Sequence, residues 1–275
     1  MAEMQCAIRC SGITKTFGSV VANDAIDLEV NYGEVLALLG ENGSGKTTLM
    51  NMLSGIYHPD AGQIFVNGQP VSIASPVDAR ALGIGMIHQH FKLVEVFTAM
   101  ENIVLGMPGK MPSRKALRAE VKDLCDTYGL EIDPEKPVWE MSVSEKQTVE
   151  ILKVLYRGAK ILILDEPTAG QDFRHYTEIM EFLRGLNRQG VTVLMITHDM
   201  HLMLEYTPRA LVFSDGRLIA DRSAAEVLCD PALIERAALK ETSLFTLANR
   251  CGIAPPEAFV QRFIDFDREV REHGC

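Results

Sequence analysis

Val35-Leu36-Ala37-Leu38-Leu39-Gly40-Glu41-Asn42-Gly43-Ser44-Gly45-Lys46-Thr47-Thr48 is the stretch on which the fold turns. The apolar run 35–39 has the length of a buried strand, and a helical pattern runs on from Gly45 to Leu53. Between them Gly40 to Thr47 fits G-x-x-x-x-G-K-[ST], a loop whose glycines let the backbone wrap around phosphates with its N–H groups pointing inward. The helix N-terminus adds a partial positive charge. Lys46 supplies a point charge to the outer phosphates, and the Thr47 hydroxyl suits Mg²⁺. The expected nucleotide-binding set is Gly40, Glu41, Asn42, Gly43, Ser44, Gly45, Lys46, Thr47 and Thr48. A glycine-rich turn that binds nothing is the alternative, and the strand–turn–helix context speaks against it.

Outward from this stretch, short apolar runs alternate with helical patterns, which predicts an α/β fold with a mainly parallel sheet. Runs 161–164 and 191–196 read as further buried strands, ending in Asp165-Glu166 and Thr197-His198. Ligands in open α/β sheets gather at the carboxyl ends of strands, so these ends share a crevice with Gly40–Thr47. Asp165 is expected in the Mg²⁺ shell, and Glu166 is expected to polarise the attacking water. Between about 92 and 158 helices dominate, with candidates at 98–105, 114–128 and 144–156, an inserted helical lobe. A hairpin at 209–213 and 216–220 turns on Asp215-Gly216. From 223 the chain is helical, and Pro255-Pro256 precedes a last helix whose Phe259, Phe263, Phe266 and Val270 form an apolar stripe. That stripe either packs on the chain's own core or pairs with the same helix of a partner.

Composition limits the partners. Lys and Arg number 27 against 37 Asp and Glu, a net charge of −10, and such a surface repels a phosphate backbone, so no nucleic-acid partner is expected. No run approaches the roughly 18 apolar residues of a spanning helix, and the first residues lack a secretory pattern. The chain is therefore expected in the cytoplasm. The six cysteines are scattered and read as free thiols, and His88 with His90 lacks the further ligands of a metal site.

With these motifs in place, the chain resembles an ATP-binding cassette ATPase over nearly its whole length. The resemblance implies a P-loop NTPase core with an N-terminal antiparallel β portion, an inserted helical lobe and a C-terminal helical extension. Residues 1–222 would form the ATPase domain and 223–275 the extension. It further implies that Phe17 stacks on adenine, and that Gln89, in Ile87-His88-Gln89-His90-Phe91, joins the Mg²⁺ and links the nucleotide to a transmembrane partner. Met141-Ser142-Val143-Ser144-Glu145 takes the place of the signature, acting in trans, Asp172 that of the loop crossing the dimer interface, and His198 that of the histidine on the γ-phosphate. Lys46, Gln89, Glu166 and His198 make up the implied catalytic set.

The implied cofactors are ATP and Mg²⁺. The implied partners are integral membrane subunits and a second cassette, in a homodimer or a heterodimer, at the cytoplasmic face of a bacterial membrane. Ser144 stands where the family usually has glycine, and a side chain at the tightest approach to phosphate is expected to strain the backbone there. The loop Ala169-Gly170-Gln171-Asp172 also departs from the commoner Ala-Leu-Asp ending. Leu49–Gly55, Gly85–Phe91 and Val149–Gly158 resemble the first cassette of nucleoside-type or sugar-type importers. Pro167–Tyr176, Thr197–Tyr206 and Leu239–Leu247 resemble ATPases of energy-coupling-factor vitamin or metal importers. Two other functions stay open: a cassette ATPase of translation or DNA repair, and a subunit that binds nucleotide without hydrolysing it.

Overall fold

The computed structural model describes residues 5–89, 91–109, 111–167, 173–239 and 242–273. Two sheets carry the chain. The first begins with β1 (Cys6–Phe17) and β2 (Val20–Asn31), a hairpin whose turn starts at Gly18 with φ 60°. Along β2 the buried Ile26, Leu28 and Val30 alternate with exposed neighbours, the period of a strand covered on one face. After α1 (Lys46–Leu53), β4 (Ala61–Val66) and β5 (Gln69–Val71) turn on Asn67-Gly68, both at positive φ as a type I′ hairpin requires. The order is β2-β1-β4-β5, every pair antiparallel.

The second sheet runs β10-β9-β3-β8-β7-β6, built from β3 (Val35–Leu39), β6 (Ile84–Ile87), β7 (Ile161–Asp165), β8 (Thr192–Ile196), β9 (Arg209–Ser214) and β10 (Arg217–Ser223). The strands from β9 to β6 are parallel, and only β10 is antiparallel. Its turn is Asp215-Gly216, as the sequence predicts. β3 is buried on both faces, the condition that makes a strand read as an unbroken apolar run. Leu36 and Leu38 pack with α1 and the first sheet, while Ala37 and Leu39 pack with helices from the C-terminal third.

The remaining helices clothe this frame. α2 (Pro76–Ala81) leads into β6, and α6 (Phe173–Arg188) lies between β7 and β8. The lobe contains α3 (Ala99–Val104), α4 (Arg114–Tyr128) and α5 (Val143–Tyr156), close to the predicted limits. Its core joins Met100, Ile103, Leu117, Val121, Val149 and Leu152. Thr98, Ser113 and Ser142 each cap a lobe helix, and Thr98 and Ser142 complete reciprocal boxes with Glu101 and Glu145. The other face of α5 places Ile151 and Leu155 in the core of β6, β7, β8 and α6, so one helix fastens the lobe to the sheet. α7 (Met200–Tyr206), α8 (Ala224–Leu228), α9 (Pro231–Arg236), α10 (Ser243–Arg250) and α11 (Pro256–His273) complete the chain. In α11 Val260 and Ile264 are buried with Leu39, Val212 and Val227, whereas Phe263, Phe266 and Val270 are exposed. The stripe expected on this helix is thus divided, with Phe259 turned toward the core.

Candidate active site

The loop between β3 and α1 owes its shape to glycines that nothing larger can replace. Gly40 has φ 137° and a Cβ there would lie 2.1 Å from the Phe213 carbonyl oxygen, while Gly45 has φ 98° and its Cβ would lie 2.2 Å from that of Ala22. The turn is therefore held against β2 on one side and β9 on the other. Inside it the Lys46 ammonium donates to the carbonyls of Gly40 at 2.9 Å and Glu41 at 2.8 Å, and to Ser44 Oγ at 3.2 Å. Burial pulls the Lys46 pKa below the usual lysine range, against the raising influence of Glu166, Asp165 and Glu41.

The carboxyl ends of neighbouring strands deliver the partners. Thr47 Oγ1 donates to Asp165 Oδ1 at 3.4 Å, joining the first turn of α1 to the end of β7. Burial, and then the charge of Glu166, push the Asp165 carboxyl above its ordinary value. A hydroxyl and a carboxylate side by side, near a lysine, form the hard oxygen donor set that fits Mg²⁺ beside a phosphate chain. Glu166 follows with φ 51°, a conformation that costs a non-glycine residue energy. Gln89 Nε2, just beyond β6, donates to Glu166 Oε2 at 3.1 Å, and His198 Nε2, just beyond β8, lies 3.1 Å from Glu166 Oε1. Residues predicted from three separate stretches of sequence thus converge on one carboxylate.

Phe17 ends β1 with 43% of its surface exposed, as a stacking platform needs. Its ring meets Tyr57 edge-on at 5.2 Å, and Lys15 Nζ lies 5.5 Å from its centroid. Lys15 is fixed in turn by Asp60 at 2.8 Å. Hydrogen bonds from Lys15 and Thr16 hold the Asp60 carboxyl down at about 2.

Among the described residues no hydrogen bond joins Ser142–Glu145 to the Gly40–Thr48 loop. Ser142 caps α5, its Oγ accepting from the Glu145 N–H at 3.2 Å while its own N–H donates to Glu145 Oε2 at 2.7 Å. The expected strain at Ser144 is absent. Ser144 lies inside α5 and is not among the residues with positive φ, because the box of Ser142 and Glu145 starts the helix ahead of it. Its Oγ sits 3.2 Å from Ser142 Oγ, so the substitution adds a second hydroxyl at the helix start. Val143 is exposed beside them and Met141 is buried. Asp172 and His90 lie outside the described residues. Burial, and then Lys92, lower the His88 pKa.

Two residues of this region escape the sequence reading. Asn23, fully buried, donates from Nδ2 to the Gly45 carbonyl at 3.2 Å and supports the loop from β2. Tyr57 braces Phe17. Neither sits in a motif, and both act across long separations. The S-x-x-E spacing of Ser142 and Glu145, by contrast, is a readable signal of a helix start at Val143.

Comparison with known proteins identifies the family. The chain is 43% identical over 249 residues to a putative ABC transporter ATP-binding protein of Enterococcus faecalis (strain ATCC 700802 / V583), covering 90% of this chain and 44% of the relative. It is 47% identical over 217 residues to the guanosine import ATP-binding protein NupO of Bacillus subtilis (strain 168), covering 78% of this chain and 42% of NupO. The chain therefore spans less than half the length of these relatives. The solved structure of cbiO1 from Clostridium perfringens, part of the ABC transporter complex cbiONQ, superposes with a TM-score of 0.74 at 28% identity, over 89% of this chain and 99% of cbiO1. The profile of the family described as ABC transporter matches residues 23–169, more than half of the sequence, and with the P-loop, the Asp165-Glu166 pair and the converging Gln89 and His198 it establishes that the chain belongs to the ABC transporter family.

Proposed function

We propose that this chain binds and hydrolyses ATP to drive import of a small solute, a nucleoside, through separate membrane subunits in bacteria. The observation that carries the reading is the convergence on Glu166 of Gln89 and His198, each 3.1 Å away, beside the Thr47–Asp165 pair and Lys46. In this reading the loop amides from Gly40 to Thr48 hold the phosphates, and Phe17 takes the adenine. Thr47, Asp165 and Gln89 hold Mg²⁺, which when bound neutralises phosphate charge. Glu166 takes a proton from the attacking water as the β,γ-bridging P–O bond breaks, and His198 steadies the γ-phosphate.

Ser142, Val143, Ser144 and Glu145 close the site of a second cassette, whether a copy of this chain or a different one, and Asp172 crosses the interface between the two. Residues 1–222 form the ATPase domain and 223–275 the extension. Among the described residues no helix is long and apolar enough to cross a membrane, so in this reading the membrane subunits hold the chain at the cytoplasmic face. The nucleoside assignment draws on the likeness to NupO.

The test is co-purification with membrane subunits from a bacterial detergent extract, followed by uptake of labelled guanosine into vesicles holding the complex and internal ATP. ATP-dependent uptake that Glu166→Gln abolishes is expected. ATP turnover without guanosine movement would refute the nucleoside assignment, and failure to retain any membrane subunit would refute the importer.

A further inference from the structure

The backbone of Glu166 needs support. It is a non-glycine residue at φ 51°, and it precedes Pro167, whose ring narrows the backbone choices of the residue before it. Such a conformation persists only where surrounding contacts over-determine it. One support lies before the residue, where the Glu166 N–H donates to the Ile196 carbonyl of β8 at 3.1 Å. The other lies after it: Gln147 Nε2 donates to the Pro167 carbonyl at 2.7 Å.

Gln147 is buried, at 3% exposure, on the face of α5 that carries Ile151 and Leu155 into the sheet's core. An amide in that position costs free energy unless it is paired, and its partner is the residue that follows the proposed base. Three residues further along, Glu150 Oε1 accepts the Lys92 N–H at 2.5 Å, so α5 also holds the segment that follows Gln89. The N-cap of this same helix is Ser142.

We infer that Gln147 is a positioning residue for hydrolysis: through the Pro167 carbonyl it fixes the backbone that aims Glu166, and it ties that aim to the helix bearing Ser142. The inference rests on the ATPase reading above. It gives Gln147 no part in holding nucleotide, since the Gly40–Thr48 loop and Phe17 are untouched by it. A loss at position 147 therefore falls on turnover and spares ATP affinity.

The experiment compares the whole wild-type chain with Gln147→Leu, which is apolar and lacks the donor, and with Gln147→Glu. Phosphate release at saturating Mg-ATP should fall about tenfold in Gln147→Leu, while the Kd for a fluorescent ATP analogue stays within about twofold. A carboxyl at 147 would be buried and would share its cleft with Glu131, Glu145, Glu178 and Glu181, so it titrates above the usual range. Its protonated form regains an O–H donor. Gln147→Glu should then match Gln147→Leu at pH 8.5 and recover turnover relative to it as the pH falls toward 6.

Hydrogen exchange supplies a readout independent of hydrolysis: the Glu166 amide should exchange faster in Gln147→Leu while Leu162–Leu164 keep their protection. Unchanged turnover with unchanged exchange in Gln147→Leu overturns the inference. So does a loss of affinity that matches the loss of rate, or identical pH profiles for the two variants. A wild type that releases no phosphate refutes the ATPase reading alone, and the exchange of the Glu166 amide still decides the role of Gln147.

Discussion

Adding a methyl group at Gly45 perturbs two things at once. Its φ of 98° lies where side chains are disfavoured, and its Cβ would stand 2.2 Å from the Ala22 carbonyl oxygen and 2.7 Å from Asn23 Nδ2. The backbone conformation costs about 1–3 kcal/mol in a non-glycine residue, and overpacking against fixed neighbours costs about another 1–3 kcal/mol. The relief available is to move the loop away from β2, which breaks the Asn23 hydrogen bond to the Gly45 carbonyl and pulls the loop's amides off the phosphates. Gly45→Ala should therefore lose about 2–6 kcal/mol, shared between folding and nucleotide binding. At the lower bound, if all of it falls on binding, that is roughly a 30-fold weaker Kd. Gly43→Ala is the control, because φ is 83° there but nothing lies within 4 Å of its Cβ, so only the backbone cost applies to folding. The assay is a urea midpoint for each variant with titration of a fluorescent ATP analogue. A Gly45→Ala variant with a wild-type midpoint and a Kd within threefold of wild type would refute the reasoning.

Three further outcomes follow from the geometry. Ser144→Gly should leave steady-state ATPase turnover unchanged or lower it up to about twofold, because glycine in a helix costs roughly 0.5–1 kcal/mol relative to alanine and no strain is relieved; an increase would restore the idea of a strained signature. Asp165 has a raised pKa in the folded chain, so its contribution to stability is full below the unfolded value and is lost as pH rises through the folded one. Asp165→Asn should melt above wild type at pH 7.5 without nucleotide, with the gap closing toward pH 4, and Mg-ATP should stabilise the wild type more; a gap that widens in acid would contradict this. Truncation before α11 would remove the buried Val260 and Ile264 and unfold part of the core, so the exposed face is tested with Phe263→Ser and Phe266→Ser together. Sedimentation at micromolar concentration should show weaker self-association at an unchanged melting temperature, and unchanged sedimentation would dismiss the partner helix.

What could be read from the chain in advance was set by local chemistry. Val35–Leu39, Ile161–Leu164 and Val193–Ile196 announce themselves because a strand buried on both faces leaves an unbroken apolar run. The residues at their carboxyl ends could be placed in one crevice from topology alone, and Glu166 does meet Gln89 and His198 there. Tertiary partnership was less accessible. Asn23 under Gly45, Tyr57 against Phe17 and Gln147 on Pro167 depend on elements that meet only after folding, and none of the three types marks its partner in sequence. The unstrained backbone at Ser144 has a different origin. A glycine at this position would bring conformational freedom, but the Ser142–Glu145 box commits the segment to a helix, where serine needs none.

Whether Glu166 is the base of an ATP-hydrolysing cassette is tested most directly by phosphate release from this chain against its Glu166→Gln variant. Glutamine keeps the size of the side chain and cannot take the proton. At saturating Mg-ATP the wild type should turn over, and the variant should fall by a factor on the order of 10² or more. ATP affinity should be retained, since Lys46, Thr47 and Asp165 are unchanged. A Glu166→Gln variant that releases phosphate at the wild-type rate would contradict the assignment.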